Sequence, residues 1–208
     1  MTTPLHVPGV PFALTPSPGS SWVVDESSGD VHVTGAPRTD IFIDPRGGIS
    51  SDSEAVLDAA TLLGTPPAGD FQLSARVTVD FAATFDAGVL LLWVDERHWG
   101  KLCFEYSPDG EALIVSVVTR GVSDDANAFA VDGNQVWLRV SRIGQAYAYH
   151  ASLDGTLWRM IRHFALVDPA GSAAIGFEGQ SPTGEGCAVK FDRISFATTR
   201  LGELRDGS

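Results

Sequence analysis

Three apolar runs of strand length follow one another in tandem from residue 71, and they constrain the fold more than any other part of the chain. They cover residues 71–81, 88–95 and 99–106, and a fourth run follows a turn at 112–119. In the third run, large apolar or aromatic residues alternate with charged or small ones. The first set is Leu102, Phe104 and Tyr106, and the second is Lys101, Cys103 and Glu105. A period of two predicts strands. One face should meet the core, and the other should be aromatic and charged.

Turn signals separate further runs of five to nine residues along the rest of the chain, a spacing typical of antiparallel sandwiches and barrels. Residues 54–63 are ambiguous, since their apolar positions also fit a helical stripe. The sequence shows no βαβ alternation and no helix long enough to cover a sheet. We therefore predict an all-β fold made of two packed antiparallel sheets.

The predicted organisation is a single large domain with two extensions. Residues 1–20 contain five prolines and no clear periodicity, which predicts an extended N-terminal arm. Residues 21–198 form the predicted β-sandwich domain, because 44% apolar residues and 22 glycines supply a core and its turns. Residues 199–208 have no pattern, and we expect a frayed tail.

The charge of the chain excludes some classes of partner. A formal net charge of −12, with lysine and arginine scattered singly, disfavours nucleic acid and anionic membranes. The N-terminus lacks a basic segment followed by an apolar one, so no secretory signal is expected. The two cysteines, Cys103 and Cys187, are expected to be small core or face residues that stay reduced in a cytoplasmic protein. A cytoplasmic location is the resulting prediction.

Two stretches resemble a known family. Residues 85–106, F-D-A-G-V-L-L-L-W-V-D-E-R-H-W-G-K-L-C-F-E-Y, and the later S-V-V-T-R-G-V-S-D-D resemble the regulation-of-enolase-like family, domain of unknown function 1349. Its members are similar to concanavalin A-like lectin and glucanase sandwiches, so the resemblance implies that jelly-roll fold from Thr39 to Phe196. Relatives tend to carry an aromatic residue where this chain has Asp125.

The family pattern falls on Trp99, Lys101, Glu105 and Thr119, which are the candidate ligand-binding residues. Lys101 and Glu105 are about 13 Å apart along a strand, at roughly 3.3 Å per residue, and cannot pair with each other. Either each finds an ion-pair partner on a neighbouring strand, or both face a wet groove. In a groove, an exposed Trp99 indole would stack on a sugar ring while charged neighbours bind its hydroxyls.

Other chemistries find less support. Glycoside hydrolysis needs two facing carboxyl groups, and the run 105–111 crosses a turn, so its acidic residues do not share a strand face. The sequence contains no phosphate-binding glycine loop, nucleophile elbow or zinc-like cysteine spacing. Asp124, Asp125 and Asn127 offer oxygens that suit calcium, with solvated loop residues as the alternative.

The leading functional prediction is a non-catalytic protein that binds a carbohydrate or small polyol on its concave face. The alternative is a protein-interaction or regulatory module of metabolism, as the family label implies. A glycoside hydrolase-like enzyme is the weaker third alternative.

Overall fold

The computed structural model describes residues 2–49, 54–168, 171 and 173–208, which form two seven-stranded antiparallel sheets packed face to face. The strands in chain order are β1 (Thr15–Pro16), β2 (Trp22–Val24), β3 (Val31–Gly35), β4 (Ile41–Ile43), β5 (Ala55–Leu57), β6 (Ala60–Gly64), β7 (Phe71–Asp80), β8 (Ala87–Asp95), β9 (His98–Tyr106), β10 (Ala112–Arg120), β11 (Val122–Val131), β12 (Gln135–Ile143), β13 (Ala146–Ser152), β14 (Arg159–Phe164), β15 (Ala174–Gln180) and β16 (Cys187–Ala197). A 3-10 turn, Pro45–Gly47, follows β4.

Sheet I has the order β1-β6-β15-β8-β9-β10-β11, and sheet II has the order β14-β13-β12-β7-β16-β3-β2. The remaining two strands, β4 and β5, pair with each other outside both sheets. The prediction of an all-β fold with two antiparallel sheets is confirmed. None of the described helices is long and apolar enough to cross a membrane.

Strand β7 shows why the sequence folds this way. Its residues alternate between buried and half-buried positions, and the buried ones face the core between the two sheets. Strand β8 differs, because every residue from Ala87 to Leu92 is buried. A strand buried on both faces reads as a continuous apolar run, and the run at 88–95 has that form. Sheet I must therefore be covered on its outer face as well.

The pair β4–β5, here called the covering strands, lies over that outer face. Ile41 and Ile43 of β4 are buried against a second apolar cluster that is separate from the core between the sheets. Ala59, just after β5, belongs to the same cluster. The sheet I residues of this cluster are Ala87, Val89, Leu91, Trp99, Cys103, Val115 and Val117. The outer face of sheet I is thus a second packed layer rather than an open groove.

The structure settles three local expectations. The ambiguous stretch 54–63 contributes strands β5 and β6 and no helix. The N-terminal arm is tied to the domain because β1 pairs with β6 and the Phe196 N–H donates to the carbonyl oxygen of Gly9, and Leu14 is buried. The expected fraying of the tail is wrong, because Leu201 is buried and His150 Nε2 donates to the carbonyl oxygen of Leu204 at 2.8 Å.

Gly88 provides a test of the packing between the sheets. A Cβ atom at this position would lie 2.6 Å from Val77 Cγ1 and 2.7 Å from Val189 Cγ1, both in sheet II. We expect Gly88→Ala to lower the free energy of unfolding by about 1–3 kcal/mol, because overpacking displaces well-packed side chains. Urea denaturation measures the change. Gly202→Ala is the control, since its Cβ atom would approach no described neighbour closer than 3.3 Å. An equal loss of stability in both variants would contradict tight packing between the sheets at Gly88.

Candidate functional site

The ammonium group of Lys101 lies in the centre of the outer face of sheet I, beneath the covering strands. Lys101 Nζ donates to Asp40 Oδ1 at 3.0 Å and to Gln180 Oε1 at 2.8 Å, and it lies 3.8 Å from Glu178 Oε1. Burial alone would lower the pKa of Lys101, but the carboxylates of Asp40 and Glu178 outweigh it and raise the pKa above its usual value. Lys101 is therefore a permanently charged, fully partnered buried group.

Beside this ammonium group is a cavity of about 190 Å³. It collects side chains from the covering strands, from sheet I and from the turn before β8. Its lining residues are Asp40, Phe42, Phe85, Lys101, Glu105, Val117, Asp125 and Gln180. Asp125 is exposed at the mouth, Glu105 is half-buried, and Gln180 is buried. The cavity thus joins three carboxyl groups, one ammonium group and one amide with two phenyl rings.

Two carboxyl groups of this region have strongly raised pKa values. Burial raises the pKa of Glu105 to about 8, with Lys101 opposing the shift and the carboxylate of Asp125 adding to it. Burial likewise raises the pKa of Glu178 to about 7, again against the effect of Lys101. Neither oxygen of Glu178 has a hydrogen-bond partner among the described residues. At neutral pH, Glu105 is therefore mainly protonated and can donate as well as accept a hydrogen bond.

The turn before β8 places a phenyl ring at the cavity. Phe85 has a left-handed φ of 69°, uncommon for a bulky residue, and its side chain is more than a third exposed. The next residue, Asp86, is buried and accepts hydrogen bonds from the backbone N–H groups of Ala82 and Ala83 and from the Ser181 hydroxyl group. These bonds fix the turn, and Gln180 Nε2 also donates to the carbonyl oxygen of Phe85.

The structure places the four predicted site residues on one sheet face but not in one open groove. Trp99, Lys101 and Glu105 all belong to the outer face of sheet I, as the alternation predicts. The expectation of an exposed indole is wrong, because Trp99 is completely buried under the covering strands. Thr119 is buried too, and its hydroxyl group bonds to that of Ser123, which accepts from the Ile43 N–H. Only Lys101 and Glu105 reach the cavity.

Sequence reasoning missed most of the other residues that line the cavity. Asp40 and Phe42 come from a segment that is more than 55 residues away along the chain from Lys101, so periodicity gave no sign of them. Phe85 lies inside the segment that carries the family resemblance, and Asp125 is the position where this chain departs from it. Both were visible signals, but neither could be connected to Lys101 without the fold.

The proposed calcium ligands do not converge. The stretch 123–127 belongs to strand β11 rather than to a loop. Asp124 and Asp125 therefore point to opposite faces: Asp124 Oδ1 lies 2.9 Å from Arg162 Nη2, whereas Asp125 lines the cavity. Within the described ranges, no group of three or more histidine, cysteine, aspartate or glutamate residues could hold a metal ion.

The raised pKa of Glu105 predicts how stability depends on pH. In the unfolded chain this carboxyl group has its usual pKa of 4.5, whereas in the folded protein its pKa is about 8. The folded state therefore binds more protons between these values, and stability falls as the pH rises through this window. We expect Glu105→Gln to reduce this fall by at least ~1 kcal/mol between pH 5 and 9. Urea denaturation across that range measures it.

The control for this prediction is Glu111→Gln, which removes an exposed glutamate on the far side of the turn from Glu105. It should leave the slope of stability against pH unchanged. The prediction is contradicted if the stability of Glu105→Gln falls with pH as steeply as that of the unsubstituted protein. That result would show that the Glu105 carboxyl group is ionised at neutral pH.

Comparison with known proteins agrees with this architecture. The chain is 26% identical over 181 residues to Regulation of enolase protein 1 of Saccharomyces cerevisiae, covering 86% of this chain and 87% of that protein. The crystal structure of a functionally unknown protein from Saccharomyces cerevisiae superposes with a TM-score of 0.72 at 22% identity, covering 86% of this chain and 96% of that one.

Larger proteins contain a similar sandwich. The GH43 BlXynB protein from Bacillus licheniformis matches with a TM-score of 0.67 at 14% identity, covering 90% of this chain but 37% of its own length. Likenesses at such identities show the fold alone, which is of the concanavalin A-like type expected from the sequence. One family model, described as "Protein of unknown function (DUF1349)", matches residues 17–199, and the chain belongs to that family.

Proposed function

We propose that this protein binds a small polyol or carbohydrate in the cavity beside Lys101. The observation that carries the proposal is the convergence of Glu105, Asp125 and Asp40 with the rings of Phe42 and Phe85 in one cavity. Ligand sites commonly combine apolar walls with a few convergent polar groups, some of them with perturbed pKa values. A cytoplasmic setting, in which both free cysteines stay reduced, is part of the same proposal.

The polar groups match the chemistry of hydroxyl groups. A hydroxyl group donates one hydrogen bond and accepts others, so it can serve a protonated carboxyl group and a carboxylate at once. Glu105 supplies the first and Asp125 the second. The hydrogen bonds of Lys101 to Asp40 and Gln180 hold both acceptors in place, so the role of Lys101 is to position the site. Phe85, rather than the buried Trp99, offers a ring face to the C–H groups of a sugar.

The size of the cavity limits the ligand. Its volume of about 190 Å³ lies below the ~300–1,000 Å³ typical of sites for drug-sized ligands. We therefore expect a monosaccharide or a polyol of similar size rather than a long oligosaccharide that lies fully within the cavity. A chain longer than this would have to extend past Phe85 and Asp125 at the mouth.

Calorimetry with a panel of monosaccharides, polyols and oligosaccharides tests the proposal. We expect binding to at least one small polyol or monosaccharide, with affinity lowered about tenfold by Phe85→Ala or Asp125→Ala, since each removes a contact worth ~1.4 kcal/mol. Leu157→Ala is the control, because Leu157 is exposed and lies outside this cavity. Lys101 is unsuitable for substitution, because removing one partner of a buried ion pair destabilises by about 3–5 kcal/mol.

Two results would contradict the proposal: no binding of any member of the panel at millimolar concentration, or binding that neither cavity variant alters. The same samples can be assayed for cleavage of glycosides. Cleavage lost in Asp125→Ala or Glu105→Gln would support the third alternative, a hydrolase, in which the converging carboxyl groups act as acid and base.

A regulatory module is the second candidate. The observation in its favour is the name of the yeast relative, Regulation of enolase protein 1, which matches this chain over most of both lengths. A regulatory role of this kind predicts that a metabolic enzyme co-purifies with the tagged protein from native lysate in stoichiometric amount. Recovery of the protein alone, with the tag at either end, would count against this candidate while leaving the polyol site unaffected.

A further inference from the structure

A second groove, of about 510 Å³, lies on the opposite side of the molecule, on the outer face of sheet II. Its floor is formed by β7 and β16, and its walls are the N-terminal arm at Pro8 and the β2–β3 turn at Gly29. We propose that this groove binds a multiply charged oxyanion group, such as a phosphate or a polycarboxylate. The site is independent of the polyol cavity, because the two have no lining residue in common.

A buried carboxylate holds two of the cations in the groove. Asp192 is only 3% exposed; it accepts from Arg76 Nε at 2.6 Å and from Arg76 Nη2 at 2.9 Å, and it lies 2.7 Å from Lys190 Nζ. These bonds fix the positions of both cationic groups before any ligand arrives. A guanidinium group has five N–H donors and an ammonium group three, so most of them are not needed for Asp192. The pair is a preorganised set of donors for an anion.

Arg193 adds a third cation at a strained position. It has a left-handed φ of 51° and lies in the irregularity between Asp192 and Ser195, where the pairing of β16 with β7 shifts register. Bulges redirect side chains, and strained backbone tends to be kept where a side chain has a task. Arg193 is exposed and lines the groove, and it forms no ion pair within the described part of the chain.

The balance of charge in this groove is opposite to that of the protein. Arg76, Lys190 and Arg193 face two carboxylates, Asp30 and Asp192, in a chain whose formal net charge is −12. Lys190 Nζ is 3.9 Å from Asp30 Oδ2, outside hydrogen-bond distance. The local excess of positive charge attracts anions to this groove, whereas the acidic remainder of the protein repels them.

The N-terminal arm completes the wall of the groove. The backbone carbonyl of Gly9 accepts from the Phe196 N–H at 3.1 Å, which holds the arm against the bulge of β16. Gly9 has a φ of 88°, and a Cβ atom there would lie 2.6 Å from the carbonyl oxygen of Ile194. Only glycine permits this close approach. The groove is thus closed on one side by the N-terminal arm. The chemical shift of the Gly9 amide is therefore expected to change when an anion binds in the groove.

Titration with sodium phosphate and, separately, with sodium citrate tests the proposal. Amide chemical shifts of Gly9 and Gly29 are followed by ¹H–¹⁵N NMR at constant ionic strength, because added salt screens exposed charges. We expect both amides to shift and saturate with at least one of the two anions. Arg193→Gln and Lys190→Gln should each weaken that binding about tenfold. The anion that binds more tightly tells a phosphate ligand from a polycarboxylate one.

Arg38→Gln is a matched control. Arg38 is also an exposed arginine with a left-handed φ, of 61°, but it pairs with Glu185 outside the groove. The Arg38→Gln substitution should leave the affinity for the anion unchanged. The proposal is overturned if neither anion shifts the two glycine amides, or if Arg193→Gln and Lys190→Gln bind as tightly as Arg38→Gln. Circular dichroism confirms that each variant is folded before titration.

Discussion

A single buried ammonium group organises the outer half of this molecule. Lys101 lies on β9, between β8 and β10 in the interior of sheet I. An unpaired buried charge at this position would cost several kcal/mol of stability. The three partners of Lys101 come from two places: Asp40 from the segment before β4, and Glu178 and Gln180 from β15. The ion pair between Lys101 and Asp40 therefore requires the segment before β4 to lie over the sheet. The covering strands, the second apolar cluster and the cavity all depend on that requirement.

The same cluster explains why the cavity is chemically unusual. Several carboxyl groups surround one cation, so they cannot all ionise without strong mutual repulsion. The outcome is a division of roles, in which Asp40 pairs with Lys101 while the pKa of Glu105 and that of Glu178 rise. A protonated carboxyl group beside an ionised one is suited to hydroxyl groups. The proposed polyol site is a consequence of how the sheet accommodates its buried lysine.

The clusters on the two outer faces of the sandwich are each built around one buried charge, and these two charges have opposite sign. On sheet I, a buried cation collects carboxyl groups under the covering strands. On sheet II, the buried carboxylate of Asp192 collects Arg76 and Lys190 at the floor of an open groove. Both arrangements use one buried charge to hold two or more groups of the other sign. This difference is the basis for proposing a neutral, hydroxyl-rich ligand on one face and an anion on the other.

Alternation along the chain determined that this protein is an all-β sandwich and that Trp99, Lys101 and Glu105 share one face of a sheet, because side-chain direction in a strand depends only on the parity of residue number. What covers that face was decided by tertiary structure alone. Residues 41–43 carry the same pattern whether they lie over Trp99 or extend into solvent, and their position follows from long-range pairing. Burial of the indole, the choice of Phe85 as the exposed ring and the raised pKa of Glu105 all arise from contacts between distant segments, which periodicity in one strand does not contain.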